Sequence, residues 1–275
     1  MKMKRLLKNN IIVLALVAAM AMMAGCVSSS AMKWDKCTKS SNWTGANASK
    51  RMMNILSPKF DDATFKARVK WQKDRGCNYV NLFVTNKGDG EGSGYSIWGT
   101  TPFSAAVPND TSKLMIERMK YCKKQGLGVW IWLLADDSSA WNKTILSNIS
   151  KFVDDLKAGG FLDKDLISGV VLGLEMNEYM SAAQANLLST TLRNVWNGKV
   201  ATHEVSGKYS FAGFGDIVFY QQNPGVSAKQ LINECNAVKA KTGKPVCCFE
   251  IERQEARDKC QEILNSGAAF SVGNW

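Results

Sequence analysis

The chain has 275 residues, 45% of them hydrophobic and 21% charged, a globular composition that excludes a largely disordered protein. Twenty-two glycines against five prolines exclude collagen-like and proline-rich architectures, and the length suits one barrel-sized domain. The net charge is +11, of which Lys2, Lys4, Arg5 and Lys8 supply four and leave +7; no basic run interleaved with aromatics accompanies it, so nucleic acid is not an expected partner.

Residues 2–8 are basic, residues 11–23 form an apolar run, and Met23-Ala24-Gly25-Cys26 closes it with small side chains. Thirteen residues at about 1.5 Å each fall short of a bilayer core of about 30 Å, so the segment reads as a secretory signal and not as a span. Its end resembles the lipobox of bacterial lipoproteins. That resemblance implies lipidation at Cys26 and a membrane-anchored protein of the cell envelope, at the outer membrane where the cell has one. Residues 1–25 are then signal peptide, 26–50 the lipidated cysteine and tether, and 51–275 the folded domain. The seven other cysteines lack CxxC spacing and there is a single histidine, so no metal or iron–sulfur site is expected.

From residue 52 onward, short β-rich runs alternate with helical patterns, which predicts a parallel sheet. Strands are expected at 52–56, 79–84, 129–134, 170–174, 200–202, 217–220, 246–249 and 268–272. Between them, Met115, Met119 and Cys122, and then Ile145, Ile149, Phe152, Val153 and Leu156, repeat at helical spacing and should face the core. Gly76, Gly126, Gly159, Gly198, Gly243 and Gly267 each end a helical pattern before a strand. Eight such strands predict an α/β fold of the (β/α)8 TIM-barrel type, with an open doubly wound sheet as the alternative. Too few residues separate Thr202 from Ile217 for a full fifth helix, and the chain stops at Trp275 where an eighth would begin.

The longest connection, 86–109, carries a glycine-rich run and then Tyr95 and Trp98. Long loops in compact domains are often functional, so it reads either as a sugar-stacking lid with Trp98 as platform or as a mobile surface insertion.

Side chains at the C-terminal ends of barrel strands converge on one mouth. Glu178 follows the fourth expected strand and Glu250 ends the seventh, and hydrolysis of a glycosidic bond needs two carboxyl groups. Gly173-Leu174-Glu175-Met176-Asn177-Glu178 resembles the Asn-Glu signature ending strand four in clan A of the retaining glycoside hydrolases, the cellulase and mannanase-like superfamily. Lys244-Pro245-Val246-Cys247-Cys248-Phe249-Glu250 resembles that clan's strand seven, and residues 267–275 its closing strand with a sugar-stacking tryptophan, here Trp275. The resemblance implies a glycoside hydrolase for poly- or oligosaccharides, without cofactor and monomeric, with Glu178 as acid/base and Glu250 as nucleophile. It also implies Asn177 as a donor to a sugar hydroxyl and Tyr220 as the residue holding the nucleophile. Tyr179 departs from the clan, where many members have proline, and Glu252 is an alternative nucleophile. Asp136, beside Asp137 at the end of the third strand, and His203 on the fifth are further candidates for substrate contact. A non-catalytic carbohydrate-binding lipoprotein on the same barrel, stacking sugars on Trp98, Trp275 and Tyr95, is the competing function, and an inert structural barrel a third.

Overall fold

Seven parallel strands pair in the order in which they occur along the chain, the topology that βα repeats impose. The computed structural model describes residues 52–74, 77–87, 94–137, 139–251 and 257–273. The sheet strands are β1 (Tyr79–Phe83), β4 (Gly128–Trp132), β5 (Gly169–Val171), β6 (Lys199–His203), β7 (Ile217–Gln221), β8 (Val246–Phe249) and β9 (Ser271–Val272). A separate hairpin pairs β2 (Thr85–Asn86) with β3 (Tyr95–Ser96). β1, β4, β7 and β8 are buried along their whole length, as strands covered on both faces must be.

The helices are α1 (Asp62–Asp74), α2 (Asp110–Lys124), α3 (Asn142–Leu146), α4 (Ile149–Ala158), α5 (Ala182–Arg193), α6 (Ala228–Thr242) and α7 (Arg257–Ser266). Their starts are written in the sequence. Asn109 and Ser112 form a reciprocal capping box on α2, as do Ser181 and Gln184 on α5, which satisfies amides that a helix start leaves bare. The expected stripes on α2 and α4 are buried. α6 ends at Gly243 with φ 69°, a left-handed turn that glycine adopts cheaply and that feeds β8. After α4 the left-handed residue is Gly160 and not the expected Gly159.

The expected first strand is absent: residues 52–56 begin as the 3-10 helix Met52–Asn54, packed beside β1. An apolar run predicts burial, and Ile55 and Leu56 are fully buried, but it does not distinguish strand from turn. The buried Arg118 guanidinium of α2 holds this segment by donating to the carbonyls of Ile55, Leu56, Ser57 and Phe60. β1 and β9 are therefore the two edges of the curled sheet, joined through Tyr79. Its phenol donates to the Val272 carbonyl (2.6 Å) and accepts from Ser271 Oγ (2.9 Å).

The fifth connection is shortened as expected, to the 3-10 helix Ser210–Phe214. Buried Glu204 anchors it, accepting from the Ser210 hydroxyl and the Phe211 amide, both at 2.6 Å. The 86–109 connection departs from the lid expectation. Trp98 is buried, its Nε1 donates to Asp155 Oδ2 (2.7 Å), and its ring packs against Phe103 and Phe152 at 4.4 and 5.6 Å between centroids. Tyr95 is buried too and donates to the Phe83 carbonyl. Neither aromatic faces solvent as a sugar platform would; both are core.

Candidate functional site

The parallel strands all end on one side, and their continuations supply a polar cleft of about 330 Å³. Asp136 comes from the segment after β4, Glu175 from beyond β5, Ser206 from beyond β6, Gln221 and Asn223 from the end of β7, and Glu250 from the residue after β8. Of the residues expected from sequence, Asp136 and Glu250 line this cleft.

Glu175 and Glu250 share an uncommon backbone. Glu175 has φ 47° and ψ 40°, and Glu250 has φ 53°, both left-handed, a conformation that costs a non-glycine residue about 1–2 kcal/mol. The effect at Glu250 follows from strand parity. Phe249 packs against Trp132, His203 and Phe219 on the inner face, whereas Cys248 belongs to the cluster between sheet and helices with Cys235 and Cys260. Regular alternation would send Glu250 the way of Cys248. The left-handed turn brings it to the cleft, where it is only 6% exposed.

Glu175 is held at two points. Its amide donates to His203 Nδ1 (2.9 Å), and Gln221 Nε2 donates to its Oε1 (2.8 Å). Burial pushes the His203 pKa down to about 3, so the ring is neutral. With Nδ1 accepting, its proton sits on Nε2, which has no hydrogen-bond partner among the described residues. The ring packs edgewise against Trp132 and Phe249, 5.2 and 5.5 Å between centroids. His203 thus lies beneath the cleft as a support for Glu175 and not on its lining, where a substrate contact would be.

Glu178 ends the 3-10 turn Met176–Glu178 and is exposed at the rim, not among the residues lining the cleft. Its pKa is raised, by partial burial first and then by the charges of Glu175, Asp137 and Asp136, with Lys208 opposing. Asn177 Oδ1 accepts from the Val205 amide (2.8 Å), so it pins the loop after β6. Tyr220 points to the helical layer and donates to Glu234 Oε2 of α6 (3.0 Å), away from Glu250. Its burial and that hydrogen bond raise its pKa. Trp98 is in the core, as above. Trp275, Glu252 and Cys26 lie outside the described residues.

Glu175 and Gln221, which hydrogen-bond to each other in the cleft, are not singled out by the sequence. Parity carried the signal for Gln221, because Phe219 and Gln221 share a face that Tyr220 cannot share. For Glu175 the signal was weaker. β5 stops at Val171, so the strand end comes earlier than an Asn-Glu signature suggests.

Among the described residues no group of three or more His, Cys, Asp or Glu side chains is arranged to hold a metal, and no helix is long and apolar enough to cross a membrane. No protein-family model matches the chain, and no curated protein matches it. Solved structures do. A GH113 β-1,4-mannanase is similar at 14% identity and TM-score 0.51, over 81% of this chain and 84% of that one. The endo-β-1,4-mannanase of Thermotoga petrophila is similar at 12% identity and TM-score 0.57, over 89% and 69%. An exo-β-1,4-mannosidase from Opitutaceae bacterium strain TAV5 is similar at 12% identity and TM-score 0.59, over 86% and 54%. Likeness at such identities speaks for architecture, and the architecture is the parallel α/β barrel that these glycoside hydrolases share.

Proposed function

We propose that the chain is a retaining glycoside hydrolase acting on a poly- or oligosaccharide, with Glu175 and Glu250 as its working carboxylates. One observation carries this reading: two glutamates from different strand ends, both in a costly left-handed conformation, line one polar cleft. Hydrolysis needs one carboxylic acid to protonate the leaving oxygen and one carboxylate to attack the anomeric carbon. Glu250 attacks, forming a glycosyl ester as the bond to the leaving oxygen breaks. Glu175 gives that oxygen its proton and then takes one from the water that hydrolyses the ester. Because Gln221 donates to Oε1, the travelling proton uses Oε2. Asp136 accepts from sugar hydroxyls beside them. Glu178 competes for the acid role through its raised proton affinity, but it stands at the exposed rim.

The test is a set of three variants, Glu175→Gln, Glu178→Gln and Glu250→Gln, on a glycan panel headed by β-mannans and on aryl glycosides of graded leaving group. Glu175→Gln should slow turnover by roughly 10² to 10⁴ on poor leaving groups and far less on activated ones, which need no protonation. Glu250→Gln should fail on all of them. That pattern in Glu178→Gln, with Glu175→Gln unaffected, would move the acid role to Glu178. No turnover of any glycan by the parent would favour the non-catalytic sugar-binding reading. We also propose lipid anchoring to the cell envelope through Cys26; Cys26→Ala should release the protein from membranes on fractionation.

A further inference from the structure

The shortened fifth connection leaves a groove of about 640 Å³ between the 3-10 helix Ser210–Phe214 and α6. Lys208, Lys241 and Lys244 line it together with Tyr209 and Thr242, and no carboxylate is among its described lining residues. Lys241 holds its ammonium 5.3 Å from the centroid of the half-buried Tyr209 ring. Lys244 donates to the carbonyls of Ala212 and Gly215, and the nearby Asp216 carboxylate offsets part of its charge. Neither Lys208 nor Lys241 makes a salt bridge among the described residues.

The loop after β6 contributes to both cleft and groove, while Lys241 and Lys244 stand before β8, at the strand end opposite Glu250. Val205 and Ser206 line the cleft and the next residues, Gly207 and Lys208, line the groove. The Gly207 amide, which donates to the Gln221 carbonyl (2.9 Å), fixes that junction. The mouth is acidic, with Asp136, Glu175 and Glu250 in the cleft and Glu178 at its rim, whereas the adjoining flank is basic. An anionic sugar unit is repelled by the first and attracted by the second. We propose that the groove binds a carboxylate or sulfate ester on one unit of a polysaccharide while a neutral unit of the same chain occupies the cleft, so that charge sets which bond is presented to Glu250. The substrate class is then an anionic polysaccharide. This rests on the glycosidase reading, but binding can be measured apart from turnover.

The experiment uses the full chain carrying Glu250→Gln and titrates it by calorimetry with three manno-oligosaccharides of equal length: one bearing a single carboxylate unit, one a single sulfate ester, and one fully neutral. At about 0.05 M salt at least one anionic probe should bind about tenfold more tightly than the neutral one, and the advantage should collapse at about 0.5 M. The carboxylate and sulfate arms identify which anion is read. Adding Lys208→Gln and Lys241→Gln should abolish the preference and leave neutral-probe affinity unchanged, which also serves as the check on folding. Equal binding of all three probes, or a preference that survives loss of both lysines, overturns the proposal. Turnover of aryl glycosides by the parent is measured separately. An inactive parent with the anion preference intact overturns the glycosidase reading alone, and an active parent without that preference overturns the groove alone.

Discussion

Among the described residues, three that are not glycine have left-handed backbones, and they divide between two regions. Phe103, at φ 62°, lies in the connection before α2 and places its ring 4.4 Å from that of Trp98. Glu175 and Glu250 lie at strand ends and bring carboxylates to a cleft. The backbone penalty is the same in kind, but apolar contact offsets it at Phe103, whereas at Glu175 the partners are polar, His203 and Gln221. Strain spent on packing serves stability. Strain spent on aiming a charged group points to chemistry, and the contrast can be broken or sharpened by substitution.

The largest effect should come from Glu250→Gln, which is expected to abolish turnover on every substrate while leaving the melting temperature near that of the parent. Next, Trp98→Ala should cost about 3–5 kcal/mol of stability by urea denaturation, the toll of emptying an aromatic core site, with sugar binding in the cleft unchanged. A lid would behave the opposite way.

Stability should also fall in acid. The unfolded chain protonates His203 near its ordinary value of 6.5, whereas the folded chain resists to about 3, so between these values the unfolded state binds more protons. His203 therefore contributes stability above pH 6.5 that is lost as the pH falls through that window, at up to about 1.4 kcal/mol per pH unit. Replacing His203 by Asn, which keeps an acceptor for the Glu175 amide, should flatten that slope in pH-dependent melting.

Smaller still, Glu175→Gly should be close to neutral in stability, since relief of about 1 kcal/mol of left-handed strain offsets loss of the Gln221 hydrogen bond, although turnover falls. Phe103→Gly relieves the same strain but loses its ring contact, and should come out destabilising by about 1 kcal/mol or more. A clearly smaller loss at Glu175 than at Phe103 would uphold the contrast between the regions, and equal losses would dissolve it. Tyr220→Phe, which loses one hydrogen bond to Glu234, should cost about 1 kcal/mol of stability and no activity.

Most strands were legible because their burial and alternation are local properties. Residues 246–249 are a strand in the structure with the bounds expected, whereas 52–56 are not, because the guanidinium that holds them belongs to α2, more than sixty residues along the chain. Trp98 illustrates the same limit: its sequence neighbourhood is glycine-rich and polar, and only the fold brings Phe152 and Asp155 against it. The cleft was half legible. Asp136 and Glu250 were found from strand ends, but the resemblance to the clan pointed to Tyr220 where the cleft takes Gln221, one residue further on. Glu175 escaped because backbone handedness, which delivers its carboxyl, leaves no mark in composition or spacing.

The seam between β1 and β9 sets this barrel apart in one further respect. Elsewhere, neighbouring strands are tied by amides and carbonyls, which every residue supplies whatever its side chain. Across the seam the Tyr79 phenol supplies side-chain ties, and the segment beside β1 hangs on the Arg118 guanidinium. Those two attachments are encoded by single codons. Sequence drift that the rest of the sheet would absorb can therefore unlatch the ring at this one place, so closure of the barrel is heritable in a way that its staves are not.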